Sequence, residues 1–360
     1  MINVTKTFLP SFEEYTTILK KAWDKAWITN NGMLVQELET KLQKYLNAQH
    51  LLYCGNGTIV LQMALKAFNI TKEVITTPFS YVATTNVLVW EGCTPVFVDI
   101  DPENFCIDAS KIEAAITKNT QAILATHVYG LPCNIELIEK IAVKHKLKII
   151  YDGAHAFGTE YMSKPLLSFG DISTCSFHAT KLFHTVEGGC IICHKEELLR
   201  ELTLMRSFGH IGDEYFSVGV NGKNSEFHAA MGLAVLPHIN SIIEKRKEIS
   251  ALYDRLLSDS NIRVLNFDKE KIKYNYSYYP VIFASEKDLL NVRMLLAQDD
   301  INTRRYFYPS LNTLPYLKSA SACPVSEDIS RRVLCLPLFP DLEEEKVNQI
   351  SGTIKKLVNT

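Results

Sequence analysis

The stretch HLLYCGNGTIVLQMALKAFNITKEVITT, residues 50–77, decides the fold. It reads as a strand over His50–Cys54, a Gly-Asn-Gly-Thr turn, a helix over Thr58–Phe68 and a second strand over Val74–Thr77. Strand, helix and strand in that order make a crossover unit whose two strands run parallel. The pattern repeats outward to about residue 195. Further strands are expected at Pro95–Ile100, Ala122–His127, Lys148–Asp152, Ile172–Phe177 and Gly189–Cys193, and further helices at Tyr81–Trp90, Ala109–Ile116 and Ile135–Lys146. Several strands are near-continuous Val/Ile/Leu runs without polar alternation, as befits strands covered on both faces. The fold class is therefore α/β, with a central, mainly parallel sheet. From Ser225 a long helical pattern begins, with Pro237 as an expected break because it lacks an N–H. A strand at Tyr274–Phe283 and helices at Glu286–Gln298 and Leu342–Leu357 complete a smaller α+β part. We expect a large domain over residues 1–240 and a small one over 241–360.

Composition narrows the function classes. The chain has 360 residues, 47% hydrophobic and 22% charged, with a formal net charge of −2. Such a chain has a core and no electrostatic pull toward nucleic acid or anionic membrane. No apolar run approaches the roughly 18 residues of a membrane span. The N-terminal MINVTKTFLPSFEEY has no basic segment followed by an apolar stretch, so no secretory signal is expected. Nine cysteines, an odd number scattered through a long chain, point to reduced thiols and a cytoplasmic protein.

Three constellations carry chemistry. In CGNGTIVLQMAL, Cys54–Leu65, small residues precede a helix start, and Gly57 and Thr58 can donate N–H groups to a phosphate. The plainer reading is a tight turn that holds nothing. A dinucleotide fingerprint is disfavoured because Val60 stands where its third glycine belongs. In IIYDGAHAFG, Ile149–Gly158, Asp152 ends a buried strand, where open α/β sheets bind ligands. It can serve as metal ligand, general base or anchor of a cationic ring nitrogen, with His155 in the same pocket; a capping Asp is the alternative. In SFHATKLFHTVEGGCIIC, Ser176–Cys193, Lys181 stands among apolar and small residues. Desolvation would lower its pKa and free its amine to attack a carbonyl. A solvated surface lysine is the bland alternative. Phosphate anchor, ring-nitrogen partner and imine-forming lysine are the parts that hold pyridoxal phosphate, and Tyr81 could stack on the ring.

The same segments resemble the DegT/DnrJ/EryC/StrS group of sugar aminotransferases, which have the aspartate aminotransferase (type I) fold. The resemblance runs from ITNNGMLVQELE through NGT, TPFSYVATTN, PVFVDID, YDGAHAFG and SFHATK to GVNGKNSEFHAAMGL. It implies a pyridoxal 5′-phosphate cofactor with Lys181 as imine lysine, Asp152 at the ring nitrogen, Tyr81 on the ring and His155 near the 3′-oxygen. It implies phosphate contacts from Gly57, Thr58 and Ser176, and from Asn221 of a neighbouring subunit, hence a homodimer with shared sites. Lys223 and His228 stand where many members carry Arg and Gln, which puts substrate contacts in doubt. Relatives that replace the lysine by histidine are dehydratases; Lys181 favours transamination. SFHATKLFHTVEGG and NGKNSEFHAAMGL are most like the branch that aminates carbon 4 of a dTDP-4-keto-6-deoxyhexose with L-glutamate as donor, in deoxyamino-sugar biosynthesis of the kind that feeds O-antigen. Candidate substrate contacts are Lys223, Arg304 and Arg305 for anions, and His184, Glu187 and the Tyr306–Tyr308 loop, Tyr308 included, for sugar presentation. The rivals are a 3-keto-sugar aminotransferase and a non-catalytic pyridoxal-phosphate-binding regulator.

Two decoys are set aside. Cys190-Ile191-Ile192-Cys193-His194 matches a haem attachment motif but reads as a strand. His178, His184 and His194 share no element that would converge them on a metal, and no metal site is expected.

Overall fold

Short apolar runs punctuated by turns build a seven-stranded sheet in the computed structural model, which describes residues 1–317 and 321–358. The strands are β1 (His50–Cys54), β2 (Glu73–Thr76), β3 (Thr94–Phe97), β4 (Thr120–Thr126), β5 (Lys148–Asp152), β6 (Ile172–Ser176) and β7 (Gly189–Cys193). Their order is β1-β7-β6-β5-β4-β2-β3. All run parallel except β7, which is antiparallel to both neighbours.

Successive residues of one strand enter opposite cores, as pleating requires. Leu51 and Tyr53 of β1 belong to one apolar cluster and Leu52 and Cys54 to the other; Ile149 and Tyr151 of β5 divide from Ile150 in the same way. The first face is covered by α1 (Phe12–Trp23), α2 (Met33–Tyr45), α5 (Ile135–His145) and α7 (Glu226–Val235), and the second by α3 (Gly57–Ala67), α4 (Val82–Trp90) and α6 (Glu196–Arg206). The helix expected over Ala109–Ile116 shortens to one turn, Ala109–Ile112, followed by a tighter 3₁₀ turn.

Pro237 breaks the long helical region as its missing N–H dictates: α7 ends at Val235, a 3₁₀ turn spans Leu236–His238, and α8 runs Ile239–Leu257. Beyond it, β8 (Arg263–Val264), β9 (Tyr279–Ile282) and β10 (Val333–Leu336) form an antiparallel sheet. The strand expected from Tyr274 starts only at Tyr279, because Tyr276 adopts φ +53°, incompatible with extended backbone. α9 (Glu286–Gln298), α10 (Pro324–Arg332) and α11 (Glu344–Val358) follow. Tyr253 of α8, Val281 of β9, Leu289 and Val292 of α9, Leu334 of β10 and Ile350 of α11 meet in a third apolar cluster. Ile2 packs against that cluster and pairs with Ile301, so the start of the chain lies with its C-terminal third. Tyr278 and Phe307 instead belong to the main cluster that packs on the first face of the large sheet. Among the described residues no helix is long and apolar enough to cross a membrane.

Candidate active site

The C-terminal ends of β5 and β6 and the start of α3 open onto one cavity of about 240 Å³. Asp152, the last residue of β5, is buried and faces it. Its Oδ2 accepts a hydrogen bond from Thr84 Oγ1 (2.7 Å) and its Oδ1 one from the Ala154 N–H (3.1 Å). Burial pushes the carboxyl pKa up; those two bonds and the nearby Lys181 pull it down. A carboxylate offers about four acceptor positions, so Asp152 keeps capacity for a further donor.

Lys181 sits in the turn between β6 and β7, its N–H donating to the His178 carbonyl (2.8 Å). Its Nζ lies 3.4 Å from the Tyr278 hydroxyl. Burial lowers its pKa, opposed by Tyr306, Asp152, Cys175 and Tyr81. The amine is thus nearer neutrality than a surface lysine, the state that attacks carbonyls and accepts protons.

His155 is buried, stacked on Phe307 (5.5 Å, 10°) with Tyr278 edge-on (5.0 Å). Its carbonyl is held by Asn275 Nδ2 (2.7 Å) and Ser277 Oγ (2.9 Å). Its Nδ1 has no protein partner, and burial drives its pKa well below the usual histidine value. A buried polar atom without a partner is costly, so this nitrogen awaits one.

Gly57 opens α3 opposite Ser176, the last residue of β6. A Cβ on Gly57 would stand 2.8 Å from Ser176 Cβ and 3.0 Å from its Oγ. Asn56 caps the helix: its Oδ1 accepts from the Thr58 N–H (3.0 Å) and the Ile59 N–H (2.8 Å). The Thr58 N–H, expected to donate to an anion, is therefore engaged by the cap. Gly57 and Thr58 remain on the cavity wall. Tyr81, N-cap of α4, lines the cavity with its ring half exposed, and so do Glu187 and Arg304. Glu187 lies 3.6 Å from His178 Nε2, and the Arg304 guanidinium lies over the Tyr306 ring.

The other candidates lie elsewhere. His184 is fully buried away from the cavity; one ring nitrogen is bonded to the Phe8 carbonyl (2.6 Å) and the other accepts from the Val186 N–H (3.2 Å). Arg305 pairs with Glu286 (2.6 Å), donates to the Arg331 carbonyl (3.0 Å) and covers the Tyr308 ring. These contacts occupy Arg305 and Tyr308 outside the cavity. Asn221 is exposed and bridges Ser207, while Lys223 stands over the Phe208 ring, 4.8 Å from its centroid. Thr84, Tyr278, Tyr306 and Phe307 complete the surroundings of Asp152 and Lys181; Tyr306 and Phe307 belong to the Tyr306–Tyr308 loop expected to present the sugar, whereas Thr84 and Tyr278 are not among the expected site residues. Thr84 falls three positions after Tyr81 at a helix start, a usable signal; Tyr278 is 97 residues from Lys181, and no local spacing announces it.

A family model described as the DegT/DnrJ/EryC1/StrS aminotransferase family matches residues 12–355. The chain belongs to this family. It is 40% identical over 99% of its length, and 99% of the relative's, to a dTDP-4-amino-4,6-dideoxy-D-glucose transaminase of Shigella dysenteriae. It superposes with a TM-score of 0.94 on DesI, solved in the presence of its TDP-sugar product, at 30% identity, covering 99% of this chain and 92% of that one. The PLP form of Spr1654 from Streptococcus pneumoniae gives a TM-score of 0.90 at 25% identity, with 99% of each chain covered. The α/β architecture is that of the type I pyridoxal-phosphate enzymes, and this DegT/DnrJ/EryC1/StrS aminotransferase is pyridoxal-phosphate-dependent. Its cavity suits that group: a close approach of Gly57 to Ser176 that leaves no room for a Cβ at the cavity wall, a buried carboxylate with free acceptor capacity, an orphaned His155 Nδ1 and a desolvated amine.

Proposed function

We propose that the enzyme transfers the amino group of L-glutamate to carbon 4 of dTDP-4-keto-6-deoxy-D-glucose, giving dTDP-4-amino-4,6-dideoxy-D-glucose. The observation that carries this reading is the meeting of Lys181, Asp152, His155, Gly57 and Ser176 in one cavity. The chain around it is similar end to end to a transaminase of that sugar. In this reading Gly57, Thr58 and Ser176 hold the phosphate, Asp152 the pyridine nitrogen and His155 the ring 3′-oxygen, while Tyr81 covers the ring. Bound pyridoxal phosphate supplies an electron sink for the donor's α-carbon.

The protein's part is proton management and orientation. Lys181 Nζ takes the proton from the α-carbon of glutamate and later delivers one to carbon 4 of the sugar. Burial lowers its pKa, which makes the base form easier to reach than in a surface lysine. Arg304, on the cavity wall, supplies a cation for a carboxylate or diphosphate. Asn221 and Lys223 lie outside their own chain's cavity, which supports a homodimer in which they serve the neighbouring subunit's phosphate and substrate. Nine free, buried cysteines suit a cytoplasmic, reducing setting. The 3-keto-sugar and regulator readings are less favoured, because relatives named for a 3-aminotransferase and a pleiotropic regulatory protein are 30% and 34% identical, against 40% for the 4-amino-sugar transaminases.

The test is product identity. Purified enzyme with dTDP-4-keto-6-deoxyglucose and glutamate should yield 2-oxoglutarate and a sugar bearing an equatorial amine on carbon 4, read by NMR. Amination at carbon 3, or an axial amine, would overturn the substrate assignment.

A further inference from the structure

Three buried hydroxyls stand in line behind Asp152. Thr126 Oγ1 lies 3.0 Å from Ser80 Oγ, Ser80 Oγ 2.7 Å from Thr84 Oγ1, and Thr84 Oγ1 2.7 Å from Asp152 Oδ2. Thr126, Ser80 and Thr84 are at most 2% exposed. They come from separate places in the chain. Thr126 ends β4 and is the register partner of Asp152 at the end of β5. Ser80 lies in the loop after β2, and Thr84 lies in the first turn of α4, its own N–H donating to the Tyr81 carbonyl (3.1 Å).

Chemistry sets the direction of the line. An ionised carboxylate has no hydrogen to give, so Thr84 must donate to Asp152. A threonine hydroxyl has one hydrogen, so Ser80 must donate to Thr84, and Thr126 in turn to Ser80. Aligned donors polarise one another in a low-dielectric interior. The positive end of the α4 dipole lies at the same turn.

We infer that Thr126, Ser80 and Thr84 form a one-way hydrogen-bond relay that orients Asp152 and holds its carboxylate ready for the cofactor's ring nitrogen, with Thr84 as the positioning residue. The inference rests on the assignment of Asp152 to that nitrogen. Thr84 Oγ1 fixes Oδ2 and the Ala154 N–H fixes Oδ1, so the carboxylate plane cannot rotate without breaking one of them. A protein needing only to fill this space would serve as well with valine at position 84. The hydroxyl is what the relay requires.

The experiment compares wild type with Thr84→Val, Thr84→Ser, Ser80→Ala and Asp152→Asn, each loaded with pyridoxal phosphate labelled with ¹⁵N in the ring. Thr84→Val should move the ¹⁵N signal toward the unprotonated pyridine value and lower kcat by about tenfold, as for a lost hydrogen bond to a charged group, with KM for glutamate within about twofold. Thr84→Ser should restore both, and Ser80→Ala should give a smaller shift of the same sign. In the apoenzyme, the ¹³C carboxyl signal of Asp152 should titrate about one pH unit higher in Thr84→Val. Wild-type ¹⁵N and ¹³C signals in Thr84→Val would overturn the relay. If Thr84→Val does not fold, unchanged signals in Ser80→Ala would do so. An unchanged ¹⁵N signal in Asp152→Asn would instead overturn the assignment of Asp152, while the apoenzyme titration still decides the relay.

Discussion

Gly57→Ala places one methyl group against Ser176, beside the proposed phosphate site. The new Cβ would lie 2.8 Å from Ser176 Cβ, 3.0 Å from its Oγ and 3.3 Å from its Cα. Carbon atoms prefer about 3.5–4.0 Å, so roughly 0.7 Å of overlap must be relieved. Ser176 cannot swing clear, because its Cα and Cβ are both involved and the residue is tied to Gly189 in the β6–β7 ladder. Overpacking of this kind costs about 1–3 kcal/mol. Alanine in the first turn of α3 returns up to about 1 kcal/mol of helix propensity. The apoenzyme should therefore lose no more than about 3 kcal/mol, while the cradle is pushed open at its narrowest point. Each 1.4 kcal/mol withheld from the phosphate contact raises Kd about tenfold, so an increase of at least about tenfold is expected for pyridoxal phosphate. Titration of apoenzyme followed by absorbance measures this, and thermal melting of the same sample measures the change in stability. Affinity within about twofold of wild type, whatever the melting temperature, would show that α3 begins beside the cofactor site without holding its phosphate.

Lys181→Ala should retain pyridoxal phosphate yet lose at least about a thousandfold in turnover, since nucleophile and proton carrier vanish together; borohydride should label the wild-type peptide containing Lys181 and no other. An equimolar, exchanged mixture of Lys181→Ala and Asn221→Ala should regain about a quarter of wild-type activity, because half the dimers are mixed and each holds one intact site; no recovery after verified exchange would refute sharing between subunits. His127 is fully buried, its Nδ1 accepts from the Cys133 N–H (3.2 Å), and burial pushes its pKa down to about 3. The unfolded chain therefore takes up this proton first, and stability falls as pH drops below about 6.5, by about 2 kcal/mol at pH 5 from His127 alone. His127→Gln should flatten that slope in melting curves taken from pH 7 to pH 5, and an unchanged slope would refute the attribution.

Much of this enzyme is legible one segment at a time. Strand runs of four to seven residues, the interruption at Pro237, and the placement of Asp152 and Ser176 at strand ends with Lys181 in the next turn follow from backbone periodicity and turn chemistry. Those rules act over a few residues and need no knowledge of the rest of the chain. The tertiary structure decided what depends on packing between distant segments. It set Tyr278 against Lys181, left His155 Nδ1 without a partner, and turned Thr84 toward Asp152. It also removed candidates: His184 became a buried tie to Phe8, Arg305 was taken up by Glu286, and Asn56 claimed the Thr58 N–H. A polar or charged side chain in isolation can bind a ligand or satisfy its neighbours, and the sequence pattern is the same for both. Which one happens depends on the donors and acceptors that folding brings within about 3 Å, and those come from elements tens or hundreds of residues away.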